Sequence, residues 1–416
     1  MDSGNTAWML ISTALVLFMT PGLAFFYGGM VRAKHLLGML MQNFFAMGLL
    51  GVLWVLLGFS LAFGNTGDGG FIGNLDFVGF RDVTGAVGVG DGFLADLTIP
   101  FVLFAAFQMT FAIITPALIT GATADRLKFG AYATFIGIWL LAVYAPVAHW
   151  VFAGGWLAEM GALDFAGGAV VHINAGAAAL ALVLVLGRRK GWPTELMAPH
   201  ALPWTLIGTG ILWFGWAGFN AGSALAADGI AAQALLNTFV AASAAMLGWL
   251  VVERLKDGHA TTLGGASGAV AGLVAITPCA GFVGSMPAIL IGATAGVVCF
   301  LALGLKRRFG FDDSLDVIAV HLVGGLVGSL LLGLFADTKV NGAVTHEGLL
   351  LGGGADLLAD QAVAAFATLA FSFVASFLIA KAIDATIGLR ITEEDEERGM
   401  DLALHAESAY AVGDFG

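Results

Sequence analysis

Residues 168–190 read GAVVHINAGAAALALVLVLGRRK. From 168 to 187 the stretch is apolar apart from one histidine and one asparagine, and three cations follow it. A helix rises about 1.5 Å per residue, so a run of this length crosses roughly 30 Å of bilayer hydrocarbon. The closing Arg188-Arg189-Lys190 reads as a topology signal at a membrane face rather than a nucleic-acid patch. The pattern recurs along the chain, with apolar runs at about 7–31, 36–64, 97–123, 127–150, 168–187, 201–222, 230–253, 262–280, 285–305, 314–336 and 358–388. Eleven transmembrane helices are therefore expected, in an all-α polytopic membrane protein.

Composition agrees with that reading. Of 416 residues, 59% are hydrophobic and 11% charged, and the mean hydropathy is +0.92. Soluble domains are about half apolar and about a quarter charged, so an ordinary soluble domain is excluded. Sixty glycines without a period of three, beside nine prolines, exclude collagen. They point to helices packed through small residues, because lipid supplies no hydrophobic drive for helix association. Cys279 and Cys299 lie in apolar runs and suggest neither a disulfide framework nor a metal cluster.

The first apolar run lacks the basic n-region of a signal peptide and is kept as the first helix. An odd number of crossings puts the termini on opposite sides. Fifteen of the seventeen Lys and Arg fall on one face, leaving Arg81 and Lys339 on the other. The positive-inside rule then puts the N-terminus outside and the C-terminus in the cytoplasm, in a cell (plasma or inner) membrane. Asp68, Asp76, Asp82, Asp91 and Asp96 make the loop after the second helix acidic and external. A second break falls at about 389, where Glu393-Glu394-Asp395-Glu396-Glu397 is too polar for the bilayer. The expected division is a transmembrane domain over 1–388 and a cytoplasmic tail over 389–416. Ile114-Thr115-Pro116 is echoed by Ile276-Thr277-Pro278, and His172 by His321. Helices 1–5 and 6–10 would run in opposite senses, which suggests a pseudo-twofold inverted repeat with a site between the halves.

His172 and His321 sit deep in apolar runs, where an ionisable residue is costly and marks a pathway or site. Burial disfavours the imidazolium, so both are expected neutral, each ring with one donor and one acceptor nitrogen. Two adjacent rings could share a proton and line a path for a small polar solute. The competing reading is two structural histidines, each bonded to a neighbouring helix. Phe104, Phe107 and Phe111 share a helix face by spacing, as do Phe219 and Ser223. A ring face attracts a small cation and a hydroxyl accepts a hydrogen bond from it, although aromatic stripes in membrane helices usually serve packing. Asp164, just ahead of 168–187, reads first as an N-cap and second as a carboxylate facing a cation. No Walker lysine, zinc spacing or activated nucleophile appears, so neither an enzyme nor a cofactor or metal is expected.

At these residues the chain resembles the ammonium transporter family, the Amt branch of the Amt/Rh superfamily. The resemblance rests on PGLAFFYGGMVR at 21–32, TFAIITPALITGA at 110–122, ALDFAGGAVVHINAG at 162–176, GWAGFNAGSA at 215–224, DVIAVHLVGGLVG at 316–328 and GLRITEEDEERGMDLALHAESAY at 388–410. It implies eleven helices, a homotrimer and one pore per subunit. It also implies an external ammonium site at Phe107, Phe152, Ser223 and Asp164, a gate of stacked Phe111 and Phe219, and His172 and His321 as the pore-lining proton relay. Phe152 stands where the family usually has tryptophan, which keeps a ring but weakens cation attraction. The tail resembles one that binds trimeric PII-type signalling proteins.

The expected function is ammonium transport. Ammonium or methylammonium is recruited outside, deprotonated at the gate and passed as the neutral amine, with the proton following along the imidazoles. Potassium has no proton to give up and would be rejected. Two alternatives are an ammonium sensor and an Rh-like neutral gas channel. A tail of about 28 residues disfavours a fused sensor, and Ser223 disfavours the gas channel.

Overall fold

The computed structural model describes residues 1–67, 69–89 and 92–410; Asp68 and Asp91 of the acidic loop and positions 411–416 of the tail lie outside the described residues. Those residues form helices and no strands. Nine of the helices are long and apolar enough to cross a membrane. They are α1 (Ser3–Met30), α2 (Ala33–Phe63), α3 (Phe101–Thr123), α4 (Phe129–Met160), α5 (Gly168–Leu186), α7 (Gly229–Asp257), α9 (Ser285–Phe309), α10 (Ile318–Phe335) and α11 (Asp356–Thr386). The two other expected runs are helical but shorter. They are α6 (Leu202–Trp216), which continues into a π turn at Ala217–Ala221, and α8 (Thr262–Ile276). The α8 helix stops short of the expected 280 just before Pro278, consistent with the restriction proline places on the residue ahead of it. Two short tail helices follow, α12 (Glu393–Arg398) and α13 (Met400–His405).

Helix starts carry their own caps. Asp2, Asp228 and Thr261 accept from Asn5, Ala231 and Gly264 amides at 2.8, 2.9 and 2.8 Å. Burial sorts the spans by place: the α3 and α5 windows are 83% buried, against 28% for α11 and 33% for α7. A helix apolar all round yet mostly exposed faces lipid. Hence α3 and α5 are central, while α7 and α11 turn residues such as Leu247 and Leu378 outward.

Small residues bring the inner helices together, as the glycine content predicts. A Cβ on Gly176 of α5 would overlap the backbone of Leu322 in α10, and one on Gly328 would overlap that of Ala275 in α8. Such approaches let backbones touch where lipid gives no other reason to associate.

The basic loops gather at one end and are bonded there. Arg189 makes a bidentate pair with Asp312, with Nη2 to Oδ1 and Nε to Oδ2 both at 2.9 Å. Arg126, fully buried, donates to the carbonyls of Gly187 and Asp312 and to Ser314. The tail locks onto this end. Arg390 donates to the Arg188 carbonyl at 2.6 Å and pairs with Glu396 at 2.6 Å. Asp401 accepts from the Leu37 and Gly38 amides at 3.0 and 2.8 Å, capping the first turn of α2 from over 360 positions away. Beside it the Met400 amide donates to His35 Nδ1 at 3.3 Å. The loop between α2 and α3 lies at the opposite end, where Trp150 Nε1 donates to the Phe71 carbonyl at 2.7 Å.

Candidate functional site

Local sequence places the histidines in irregular turns. His172 lies in a π turn, Gly168–Ile173, at the head of α5, and His321 in another, Ile318–Val323, at the head of α10. Phe219 belongs to a third, Ala217–Ala221, at the end of α6. π turns widen the helix by one residue and occur often at functional sites. Both histidine turns are capped by aspartate. Asp164 Oδ1 accepts from Gly167 and Gly168 at 2.8 and 2.6 Å, and Oδ2 from Ala169 and Val170 at 2.8 and 3.2 Å. Asp313 accepts from Val317 and Ile318 at 3.1 and 2.7 Å. The turn before α5 needs Gly167 at φ +122°, a conformation that a Cβ resists.

An outer cavity of about 380 Å³ opens above these turns, with Gln108, Phe111, Phe152, Asp164 and Ser223 in its wall. Ser223 Oγ donates to the Phe219 carbonyl at 2.8 Å, which leaves the oxygen lone pairs to accept from a ligand. Asp164 spends both oxygens on helix amides, so the capping geometry is realised while its charge still faces the cavity. Burial pushes its carboxyl upward, against the four amides that pull it down.

Phe111 and Phe219 close the floor of the cavity, with ring centroids 4.5 Å apart at 51°. Phe107 is not in the cavity wall. It is fully buried, meets Phe111 edge-on at 4.9 Å and stands against Gly222. Beneath the two rings is a narrow space of about 10 Å³, walled by Phe219, Trp216, Leu23, Val171 and the two histidines. That volume is about the smallest that holds one water, in a lining that is otherwise hydrocarbon.

There His321 Nδ1 meets His172 Nδ1 at 3.2 Å, with the rings 5.3 Å apart and 24° from parallel. The contact requires one of the two nitrogens to carry hydrogen and the other a lone pair. His172 also stacks on Trp216 at 5.6 Å and Phe219 at 6.1 Å, and its Nε2 has no hydrogen-bond partner among the described residues. Trp216 is held by its own bond to Thr277 at 2.9 Å. Among the described residues no group of three His, Cys, Asp or Glu is placed to hold a metal.

The structure thus brings together Phe111, Phe152, Asp164, Ser223, Phe219, His172 and His321, with Phe107 behind the wall. Sequence reading missed Gln108, Trp216 and the Asp313 cap. Helical spacing carried a signal for two of them: Gln108 is four residues after Phe104 and three before Phe111, and Trp216 is three before Phe219.

Residues 7–410 match the Ammonium Transporter Family. An ammonium transporter of Mycobacterium tuberculosis is 52% identical over 98% of this chain and 90% of its own length. The crystal structure of Saccharomyces cerevisiae Mep2 superposes with a TM-score of 0.86 at 37% identity, covering 94% of this chain and 91% of that one. A solved structure named Sensor Amt Protein superposes with a TM-score of 0.87 at 27% identity, covering 96% and 98%. A family match across nearly the whole chain, with a relative aligned almost end to end at half identity, makes this multi-pass membrane protein a member of the ammonium transporter family, whose members are transporters rather than enzymes.

Proposed function

We propose that the chain transports ammonium by recruiting the cation in the outer cavity, deprotonating it at the phenylalanine pair and passing neutral ammonia along the histidines. The observation that carries this reading is the Nδ1–Nδ1 contact of His172 and His321, at 3.2 Å in a lumen with room for about one small molecule. Ser223 accepts a hydrogen bond from the cation, the Phe152 ring face attracts its charge, and the Asp164 carboxylate adds a favourable field. Phe107 backs the aromatic wall. Passing Phe111 and Phe219 strips water, and a bare charge in the segment below is costly. Giving up a proton removes that cost, and the unpartnered His172 Nε2 is a place to receive it. Shifting hydrogen from one Nδ1 to the other then moves the proton inward. Methylammonium, with protons to give and one small apolar group, follows the same route. Potassium cannot.

The same proposal includes eleven crossings, with α6 and α8 as the shorter two. It includes an inverted repeat relating the aspartate-capped α5 and α10, and the basic face in the cytoplasm of a plasma or inner membrane. It also includes assembly as a homotrimer with one pore per subunit, over the domain division at 388. The bonds that Arg390 and Glu396 make to the Arg188–Lys190 loop, and that Met400 and Asp401 make to the start of α2, support a regulatory tail, at a face where a PII-type protein would dock.

The deciding experiment is membrane current in proteoliposomes on an ammonium pulse, with potassium as the comparison. Current with ammonium alone, lost in His172→Ala and His321→Ala, supports the relay. Ammonia flux without current would refute proton co-transfer, and saturable, potential-sensitive methylammonium uptake would reject a neutral gas channel. A sensor reading draws on the likeness to Sensor Amt Protein. It predicts no rescue of growth on limiting ammonium in a transporter-deficient strain.

A further inference from the structure

The segment from Leu163 to Asn174 contains the Asp164 cap, the left-handed Gly167 and the π turn with His172. Regular helix satisfies its own main chain, whereas irregular backbone needs partners from elsewhere to keep one shape. Here they come from one face of α11. The Gln361 amide takes both main-chain groups of Leu163: its Oε1 accepts from the Leu163 N–H at 2.7 Å, and its Nε2 donates to the Leu163 carbonyl at 2.8 Å. At the other end the Ser372 hydroxyl donates to the Asn174 carbonyl at 2.8 Å. The two ties are eleven positions apart in both segments, about three turns of α11. A regular helix therefore spans the irregular segment and fixes both of its ends.

Gln361 reaches a third group. Its Nε2 also donates to the Ser329 carbonyl at 3.2 Å, in α10 about two turns beyond His321. The side chain is 1% exposed, and a buried amide is costly unless its hydrogen bonds are made. On a helix that mostly faces lipid, this one joins the residue ahead of Asp164 to the helix whose first turn carries His321. The Nδ1–Nδ1 contact at 3.2 Å depends on how α5 and α10 stand against each other, because hydrogen bonds weaken steeply once distance or angle departs from the favoured range. Glutamate has no donor when ionised, and methionine has the length but no polar hydrogen.

We propose that Gln361 is a positioning residue for transport: it holds Asp164 and the His172 turn against α10, with Ser372 as the second tie, so that the two imidazoles meet. This rests on the reading of Asp164, His172 and His321 as transport residues. Neither Gln361 nor Ser372 lines the outer cavity or the narrow space beneath it, so both act through the residues they hold.

The test is methylammonium uptake by the full chain in proteoliposomes, per mole of monodisperse protein, between about pH 5.5 and about pH 8.5. Gln361→Met keeps the volume and loses all three bonds; its maximal rate should fall about tenfold, with apparent KM within about twofold of wild type. Gln361→Glu has no donor when ionised but donates once and accepts once when protonated, a form that burial and the neighbouring Asp164 favour. Its rate relative to wild type should therefore rise as pH falls. Ser376→Ala removes another buried bond of α11, the one from Trp139 at 2.9 Å, and should leave rate, KM and pH profile unchanged whatever it does to melting temperature. A Gln361→Met variant with wild-type maximal rate, a Gln361→Glu ratio that does not move with pH, or an equal loss in Ser376→Ala overturns the proposal. If Gln361→Met does not fold, the other two variants decide it. Slow uptake in His172→Ala and His321→Ala beside wild-type uptake in Gln361→Met removes the positioning role alone, whereas wild-type uptake in the histidine variants removes the transport reading beneath it.

Discussion

Asp164→Asn separates the two roles the sequence left open for this residue. The carboxylate holds four amides, two on each oxygen. Asparagine keeps one oxygen, enough for Gly167 and Gly168, but turns an NH₂ toward the Ala169 and Val170 amides, setting donor against donor. Hydrogen bonds to a charged group contribute about 1.5–3 kcal/mol each, and a charge at a helix start adds about 0.3–1 kcal/mol. The two lost bonds share one carboxylate and do not add in full, so the expected loss is about 3 kcal/mol. It falls on the turn Gly168–Ile173 that positions His172. Thermal unfolding in detergent should therefore show a clear drop in midpoint, and methylammonium uptake should lose maximal rate rather than apparent affinity. Asp164→Glu, which retains charge but displaces it, should fall between the two. An asparagine variant that melts like wild type and loses only apparent affinity would refute the capping argument and make Asp164 an electrostatic partner of the cation. One with wild-type melting and uptake would remove it from both roles.

Three further outcomes follow from the geometry. Phe152→Trp should strengthen recruitment, since indole is the better ring for a cation in an interaction worth about 0.5–1 kcal/mol in all at an exposed site; an apparent KM for methylammonium lower by at most about fivefold is expected, and no change would mean Phe152 does not meet the cation. Asp401→Ala removes both bonds to the start of α2, worth about 1–2 kcal/mol as a charged cap; hydrogen exchange should quicken at Leu37 and Gly38 and the tail should become more open to protease, while unchanged exchange would show that the tail does not hold that turn. Burial alone would raise the Asp312 carboxyl, but Arg189 and Arg126 outweigh it and hold it below the ordinary range. A depressed carboxyl contributes stability that is complete above its unfolded pKa of about 3.9 and is lost as pH falls through the lower folded value. Melting temperature in detergent should thus fall below about pH 4, less steeply in Asp312→Asn, and identical acid profiles would exclude this pair as the cause.

How much could be read in advance depended on how local each signal was. Hydropathy acts on about twenty neighbouring residues at once, because a span must satisfy its own backbone in lipid, so the apolar runs appear as helices within a few positions of their expected ends, except α4, which runs on from the expected 150 to Met160. Spacing of three and four put Phe104 and Phe111, or Phe219 and Ser223, on shared faces, since helical geometry alone decides that. The resemblance named the residues that line the cavities, yet only packing moved Phe107 behind the wall and gave Gln108 and Trp216 their places.

By itself the sequence determined that this chain lives in a membrane as a bundle of apolar helices, with most of its cations toward one end and two histidines deep inside. Those properties follow from composition and order along the chain. Tertiary structure alone decided that the histidines meet at Nδ1, that His172, His321 and Phe219 sit in π turns, and that Asp401 caps a helix begun more than 360 residues earlier. A hydrogen bond depends on distances of tenths of an ångström between segments remote in sequence. Such distances are set by which glycines let which backbones touch, as Gly176 does against Leu322, and that is a property of the packed molecule.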